Sequence, residues 1–182
     1  MELELDEIET VLTRAEMLHS AQDVVRVEEK LAAEIGKKLR GKNPLVICVM
    51  NGGLQFCANL VRRMDFPLQI DYLHASRYRG DTVGGGMRWL KHPELDLKDR
   101  HVLIVDDILD EGYTLKEVIE HCQNIGAKEV LCAVLVKKIH DRNVGIEADF
   151  VGLEVPDRYV FGCGMDYKSY WRNLPAIYAV AE

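Results

Sequence analysis

Three apolar runs limit what this chain can become: "PLVICVM" at Pro44–Met50, "HVLIV" at His101–Val105 and "EVLCAVLV" at Glu129–Val136. They are rich in β-branched residues and show no polar–apolar alternation. A strand with one wet face alternates, whereas a strand covered on both faces reads as a continuous Val/Ile/Leu run. Helical patterns lie between them. From about Asp23 to Leu39, the residues Val24, Val27, Leu31, Ile35 and Leu39 recur close to helical spacing. "NGGLQFCANLVRRM" reads as a glycine turn into an amphipathic helix. "TLKEVIEHCQNIG" puts Leu115, Val118, Ile119 and Cys122 on one helical face and stops at Gly126, a residue suited to a helix C-terminus. "FPLQIDYLHAS" and "ADFVGLEV" add further strands. The alternation predicts an α/β fold, a mostly parallel twisted sheet flanked by helices on both faces. Ligands in such sheets bind at the carboxyl ends of the strands.

The 182 residues suit a single domain, 1–182. No apolar run approaches the roughly 18 residues that span a bilayer, so no membrane partner is expected. The opening "MELELDEIET" is acidic and mixed, unlike a signal or transit peptide. Five cysteines without CxxC spacing predict free thiols, and with them a cytoplasmic, reducing location. A formal net charge of -7 argues against a nucleic-acid partner, since such binders are usually basic.

The stretch "VLIVDDILDEGYTL", Val102–Leu115, sets an apolar strand against Asp106, Asp107, Asp110 and Glu111, crowded into one turn. Ionised carboxylates only accept hydrogen bonds, so Asp106 and Asp107 at a strand's end suit sugar hydroxyls or a magnesium hydration shell. Gly112, Tyr113 and Thr114 then open a helix, whose N-terminal N–H groups favour phosphate. Thr114 and Glu117 also spell a capping box, which could coexist with phosphate binding.

This stretch resembles the phosphoribosyl pyrophosphate (PRPP) signature of the type I phosphoribosyltransferases. "LVKK" and "DFVGLEVPDRYVFGCGMDYKSYWRNLP" closely resemble its purine-salvage branch, the hypoxanthine-guanine phosphoribosyltransferases, over roughly Pro44 to Pro175. The resemblance implies the type I fold, with a small hood subdomain from terminal segments (about 1–40 and 156–182) and a mobile lid at about 77–88. It implies Mg²⁺-dependent transfer of 5-phosphoribosyl from PRPP to hypoxanthine or guanine, yielding IMP or GMP and pyrophosphate, by a homodimer or homotetramer.

Residue roles follow from the same resemblance. Asp106, Asp107, Glu111, Gly112, Tyr113 and Thr114 would hold the ribose and 5′-phosphate, and Asp110 would manage the proton of the base. Asn51, Gly52 and Arg172 would meet the pyrophosphate. Lys137 would donate to the 6-oxo group, with Arg158 nearby, Tyr159 stacked on the ring and the Val160 backbone at its edge. Asp166 would help hold magnesium, and Arg77 and Tyr78 would lie in the lid. The chain departs from the family pattern at Glu111 (usually Thr), at Asn51 (often Lys or Arg) and at Arg77 (commonly Ser). The Glu111 side chain is expected to point away while its N–H still donates.

Two other readings stand beside this one. "VLIVDD" also resembles the first strand of a receiver domain, but too few residues follow Asp106 for that fold, which needs on the order of 100. A non-catalytic, RNA-binding regulator on the same fold is opposed by the acidic charge and by the purine-type segment Tyr159–Arg172.

Overall fold

The computed structural model describes residues 5–77 and 87–181. The elements run α1 (Leu5–Arg14), β1 (Glu16–His19), α2 (Ala21–Leu39), β2 (Leu45–Met50), α3 (Leu54–Val61), β3 (Gln69–Arg77), β4 (Met87–Lys91), β5 (His101–Leu109), α4 (Tyr113–Asn124), β6 (Glu129–Ile139), β7 (Phe150–Pro156), β8 (Val160–Phe161) and β9 (Ile177–Ala179). The three apolar runs lie in β2, β5 and β6, the centre of a six-stranded sheet ordered β4-β3-β2-β5-β6-β7. Every pairing is parallel except β3 with β4. The sheet is therefore the mostly parallel one that the continuous runs predict.

Helices cover both faces. On one, Leu31, Ile35 and Leu39 of α2 and Phe56, Cys57 and Leu60 of α3 pack over Val46, Leu103, Val105 and Ala133. On the other, Leu115, Val118 and Cys122 of α4 pack over Ile47, Val49, Val102 and Ile104. Helix α2 begins two residues earlier than the periodicity suggests. Ser20 is its N-cap, forming a capping box in which Ser20 accepts from the Asp23 N–H and the Asp23 carboxylate accepts from the Ser20 N–H. All five cysteines are buried and free. Among the described residues, no helix is long and apolar enough to cross a membrane.

Residues from the two ends of the chain pair in a second, antiparallel sheet, β1-β9-β8. Val160, Ile177 and Ala179 join it to the core on the α2–α3 side. In the large sheet, β2 is bordered by β3 on one side and β5 on the other, and the chain leaves β2 in one direction and returns in the other. A crevice opens at such a reversal, outside the carboxyl ends of the two central strands. The loops after β2 and β5 both end there.

Candidate active site

The acids of the opening signature occupy two settings. Strand β5 continues through Leu109, beyond the strand end expected at Asp106 and Asp107, so both acids lie within the strand. The ladder to β6 explains this. Asp106 pairs with Val134 and Leu109 with Lys137, and those bonds outweigh the weak strand preference of Asp. Asp106 is 8% exposed and Asp107 is 9% exposed. The Asp107 N–H donates to Asp106 Oδ1 at 2.9 Å, and the Ile108 N–H donates to Asp107 Oδ1 at 2.9 Å. Burial pushes both carboxyls above the ordinary range. The neighbouring Asp107 charge pushes Asp106 further, whereas a hydrogen bond with Asp106 and the charge of Arg172 pull Asp107 partly back. Such a pair suits a ligand that brings its own hydroxyl donors or its own cation.

Glycines press the neighbouring loops onto this pair. A Cβ on Gly52 would lie 2.1 Å from Asp107 Oδ2, and one on Gly164 would lie 2.0 Å from the Gly52 carbonyl oxygen. The loop after β2 and the turn at Gly162–Met165 thus stack on Asp107 with no room for a side chain. Asn51 stands exposed at the start of that loop. Arg172 fastens the outer layer. Its Nη1 donates to the Gly164 carbonyl at 2.6 Å, and its Nη2 pairs with Asp166 Oδ1 at 2.6 Å. Asp166 Oδ2 accepts the Ser169 N–H at 2.7 Å. Asn51, Gly52, Asp166 and Arg172, distant in sequence, therefore gather beside Asp107.

The turn after β5 makes the other wall. Gly112 takes φ +92°, where an L side chain is strained, and it caps α4 without a side-chain hydrogen bond. The capping box at Thr114–Glu117 is not formed, because α4 already begins at Tyr113 and Thr114 lies inside its first turn. The helix terminus borders a cavity of about 250 Å³ lined by Val49, Met50, Ala75 and the whole stretch Asp106–Leu115. The first N–H groups of a helix have no partners within it, and they carry a partial positive charge. Glu111 Oε1 lies 3.7 Å from Arg142 Nε, so the side chain has a cation of its own.

Asp110 sits between two donors from the end of β6. Lys138 Nζ lies 2.8 Å from its Oδ2, and His140 Nε2 lies 2.6 Å from its Oδ1. Burial works to raise this carboxyl, but the hydrogen bonds from Lys138 and His140, with the Lys138 charge, outweigh it and leave it below the ordinary range. The expected base-facing lysine, Lys137, is not brought to Asp110. Its ammonium lies 2.6 Å from Glu147 Oε2. Adjacent strand residues point to opposite faces, so only one of two consecutive lysines can reach Asp110. Residues two apart share a face, which is why Lys138 and His140 arrive together. Sequence reading passed over both, although "KIH" at a strand end carried that signal.

Arg158 ion-pairs with Glu16, and its Nη2 donates to the Val180 carbonyl at 2.9 Å, tying β1 to the chain just beyond β9. Tyr159 is half exposed, edge-on to Tyr167 with ring centroids 5.7 Å apart. Val160 is buried in β8. Of the expected lid, Arg77 ends β3, and Tyr78 lies outside the described residues.

Among the described residues, no three His, Cys, Asp or Glu side chains converge as a metal cage. Magnesium does not require one, since it usually keeps several waters and binds through one or two carboxylates plus substrate phosphates. The buried Asp106–Asp107 pair and the nearby Asp166 fit that mode of binding.

Comparison with known proteins agrees with this geometry. The model of the phosphoribosyl transferase domain family matches residues 14–169. The hypoxanthine-guanine phosphoribosyltransferase of Streptococcus pneumoniae is 36% identical over 167 residues, covering 91% of this chain and 93% of that protein. Its counterpart in Streptococcus thermophilus is 35% identical with the same coverage. A crystal structure of a hypoxanthine phosphoribosyltransferase from Staphylococcus aureus superposes with a TM-score of 0.88 at 30% identity, covering 98% of this chain and 97% of that one. With its acidic strand end, glycine-lined crevice and parallel sheet, the chain belongs to the phosphoribosyltransferase family, in its hypoxanthine-guanine branch of glycosyl-transferring enzymes.

Proposed function

We propose that this enzyme carries out purine salvage, transferring 5-phosphoribosyl from PRPP to hypoxanthine and guanine with Mg²⁺, and releasing IMP or GMP and pyrophosphate. The observation that carries this reading is the cavity beside Asp106–Leu115. It joins a buried acid pair, a helix N-terminus and a charge-balanced Asp110 within one crevice.

Each part has a task. Asp106 and Asp107 accept from the ribose hydroxyls. The N–H groups from Glu111 to Thr114 hold the 5′-phosphate, and the Glu111 side chain is kept aside by Arg142. The Asn51–Gly53 backbone and Arg172 face the diphosphate. Asp166 and the acid pair are the carboxylates available to magnesium, which when bound neutralises charge on the departing diphosphate. Tyr159 offers a ring face to the purine, and the Val160 backbone meets its edge. Arg158 braces that segment from behind, and the lid expected at about 77–88, with Arg77 and Tyr78, would exclude water on closing.

Holding the two reactants in line supplies an entropic gain. The N9 lone pair forms the bond to C1′ while the C1′–O bond breaks and its electron pair leaves with the diphosphate. The proton on N7 passes to Asp110 and then to solvent. We assign the 6-oxo contact to Lys138 in place of Lys137, because Lys138 pairs with Asp110 whereas Lys137 pairs with Glu147. The exposed apolar residues Leu54, Ile70 and Tyr72 support assembly as a homodimer or homotetramer. The five free, buried thiols suit the cytoplasm.

The test is kcat/KM for hypoxanthine, guanine and adenine at saturating PRPP and Mg²⁺. An ammonium donates and cannot accept, so it pairs with a 6-oxo group and opposes the 6-amino group of adenine. Sites built on such a bond reject the mismatched analogue by about 10⁴-fold in favourable cases. Hypoxanthine and guanine are expected to turn over and adenine barely. Comparable values for adenine and hypoxanthine would remove both the role of Lys138 and the choice of base. An absence of turnover together with RNA binding would favour a regulator on this fold.

A further inference from the structure

We infer that His140 is a positioning residue for the reaction, holding the Asp110 carboxylate in one orientation, ionised and turned toward the base; this rests on the phosphoribosyl-transfer reading above. The ring is buried, with a side chain only 3% exposed. Its two nitrogens have unlike partners. Nδ1 accepts the Arg142 backbone N–H at 3.1 Å, and Nε2 lies 2.6 Å from Asp110 Oδ1. An atom that accepts an N–H keeps its lone pair free of a proton. The neutral ring therefore carries its proton on Nε2 and donates to Asp110.

The Arg142 backbone is itself anchored. Its guanidinium grips Asp157 at 2.7 and 2.8 Å through two nitrogens, a bidentate pairing. A continuous tether thus runs from Asp157 through Arg142 and His140 to Asp110. Lys138 supplies the second donor, but it is a point charge on a flexible four-carbon stem. The planar, buried imidazole is the partner that can fix a direction. Asp110 needs this, because it stands on the bend between β5 and α4 with its side chain 42% exposed. With one donor on each oxygen, the carboxylate still has lone pairs for the N–H of a purine.

The titratable and charged groups around Asp110 are the Lys138 ammonium and the His140 imidazole on its two oxygens and the Arg142 guanidinium nearby, the last balanced by Asp157 and Glu111. Removing the imidazole donor leaves one ammonium on a half-exposed carboxylate, which is then freer to rotate and to take up a proton.

The experiment compares His140→Gln, which keeps an amide donor of similar reach, with His140→Leu, which keeps bulk without a donor, and His140→Asn, whose donor is too short. Two readouts are taken. The first is kcat and KM for PRPP and hypoxanthine. The second, which needs no turnover, is the titration of Asp110 in the ligand-free protein by ¹³C-carboxyl NMR. The Leu and Asn variants should lose about 10- to 100-fold in kcat, the size of one hydrogen bond to a charged group, with KM for PRPP unchanged. The Asp110 midpoint should rise in both. The Gln variant should recover most of the kcat and keep the midpoint near wild type. An Asp110 midpoint indifferent to all three substitutions would overturn the role of His140. A wild type that transfers no phosphoribosyl group would instead remove the functional reading and leave the tether to be decided by the NMR titration alone.

Discussion

Asp106 and Asp107 lie within β5 in a dry interior with carboxyls pushed up, while Asp110, just past the strand's end, lies half exposed with its carboxyl held down. The same residue type, within one signature, meets opposite electrostatics. Burial acts on all three. Only Asp110 has an ammonium and an imidazole on its oxygens, both from one strand end. The difference separates two jobs. The pair is unbalanced until a ligand brings hydroxyls or a cation, which fits the binding role proposed for it. Asp110 is balanced before the ligand arrives, which fits the proposal that it faces a reacting nitrogen without first being reorganised.

The most severe challenge to the contrast is to withhold the magnesium proposed for the buried pair. With excess chelator, the diphosphate and the acids confront one another uncompensated, and turnover is expected to disappear and to return with added Mg²⁺. Robust activity in chelator would mean that the pair needs no metal. Next comes Asp110→Asn, which removes the proposed proton acceptor but keeps the shape. General acid–base groups contribute about 10²- to 10⁴-fold, and kcat should fall by that order while KM for PRPP changes less. Steady-state kinetics at varied PRPP decides this, and an unaltered kcat takes Asp110 out of the mechanism.

The adjacent lysines sharpen the comparison further. Lys138→Ala should lower kcat/KM for hypoxanthine by about 10- to 100-fold, as expected for losing a hydrogen bond from a charged group. Lys137→Ala severs only the contact to the exposed Glu147 and should stay close to wild type. The reverse ranking would return the base contact to Lys137.

The smallest effect is on stability, and its sign differs between the two settings. The folded pKa of Asp106 is raised, so the folded state holds a proton that the unfolded chain releases. Its destabilising contribution is absent below the ordinary value near 3.8 and grows as pH rises toward the raised folded value. Asp106→Asn should therefore raise the Tm of the ligand-free protein at neutral pH, with the gain fading in acid. The folded pKa of Asp110 is lowered. Its stabilising contribution is present above the ordinary value and is lost as pH falls through the folded value. Asp110→Asn should lower Tm slightly at neutral pH. Thermal melts of both variants across pH test the signs, and two shifts in the same direction would dissolve the contrast.

Much of this was legible in the residues. The unbroken runs in β2, β5 and β6 announce a sheet covered on both faces, and α2 and α4 show their buried stripes by spacing alone. Other features were not legible for physical reasons. Asp disfavours strands, so nothing local says that β5 carries its ladder past Asp106 to Leu109; the pairing with β6 decides it. Ser20 caps α2 through Asp23, a weaker signature than the usual Glu or Gln three residues on. Strands β1, β8 and β9 are too short to show a period. Two consecutive lysines look alike until the strand's facing is known, so Lys138 and His140 emerged only when β6 had neighbours.

The most direct measurement follows the reaction itself. Purified protein is mixed with PRPP, Mg²⁺ and hypoxanthine, and the phosphorus signals are recorded by ³¹P NMR with and without the base. Purine salvage predicts that PRPP is consumed only when hypoxanthine is present, with one IMP and one pyrophosphate appearing for each PRPP lost. PRPP that persists beside hypoxanthine, or that decays equally without it, would contradict a phosphoribosyl transfer at this site.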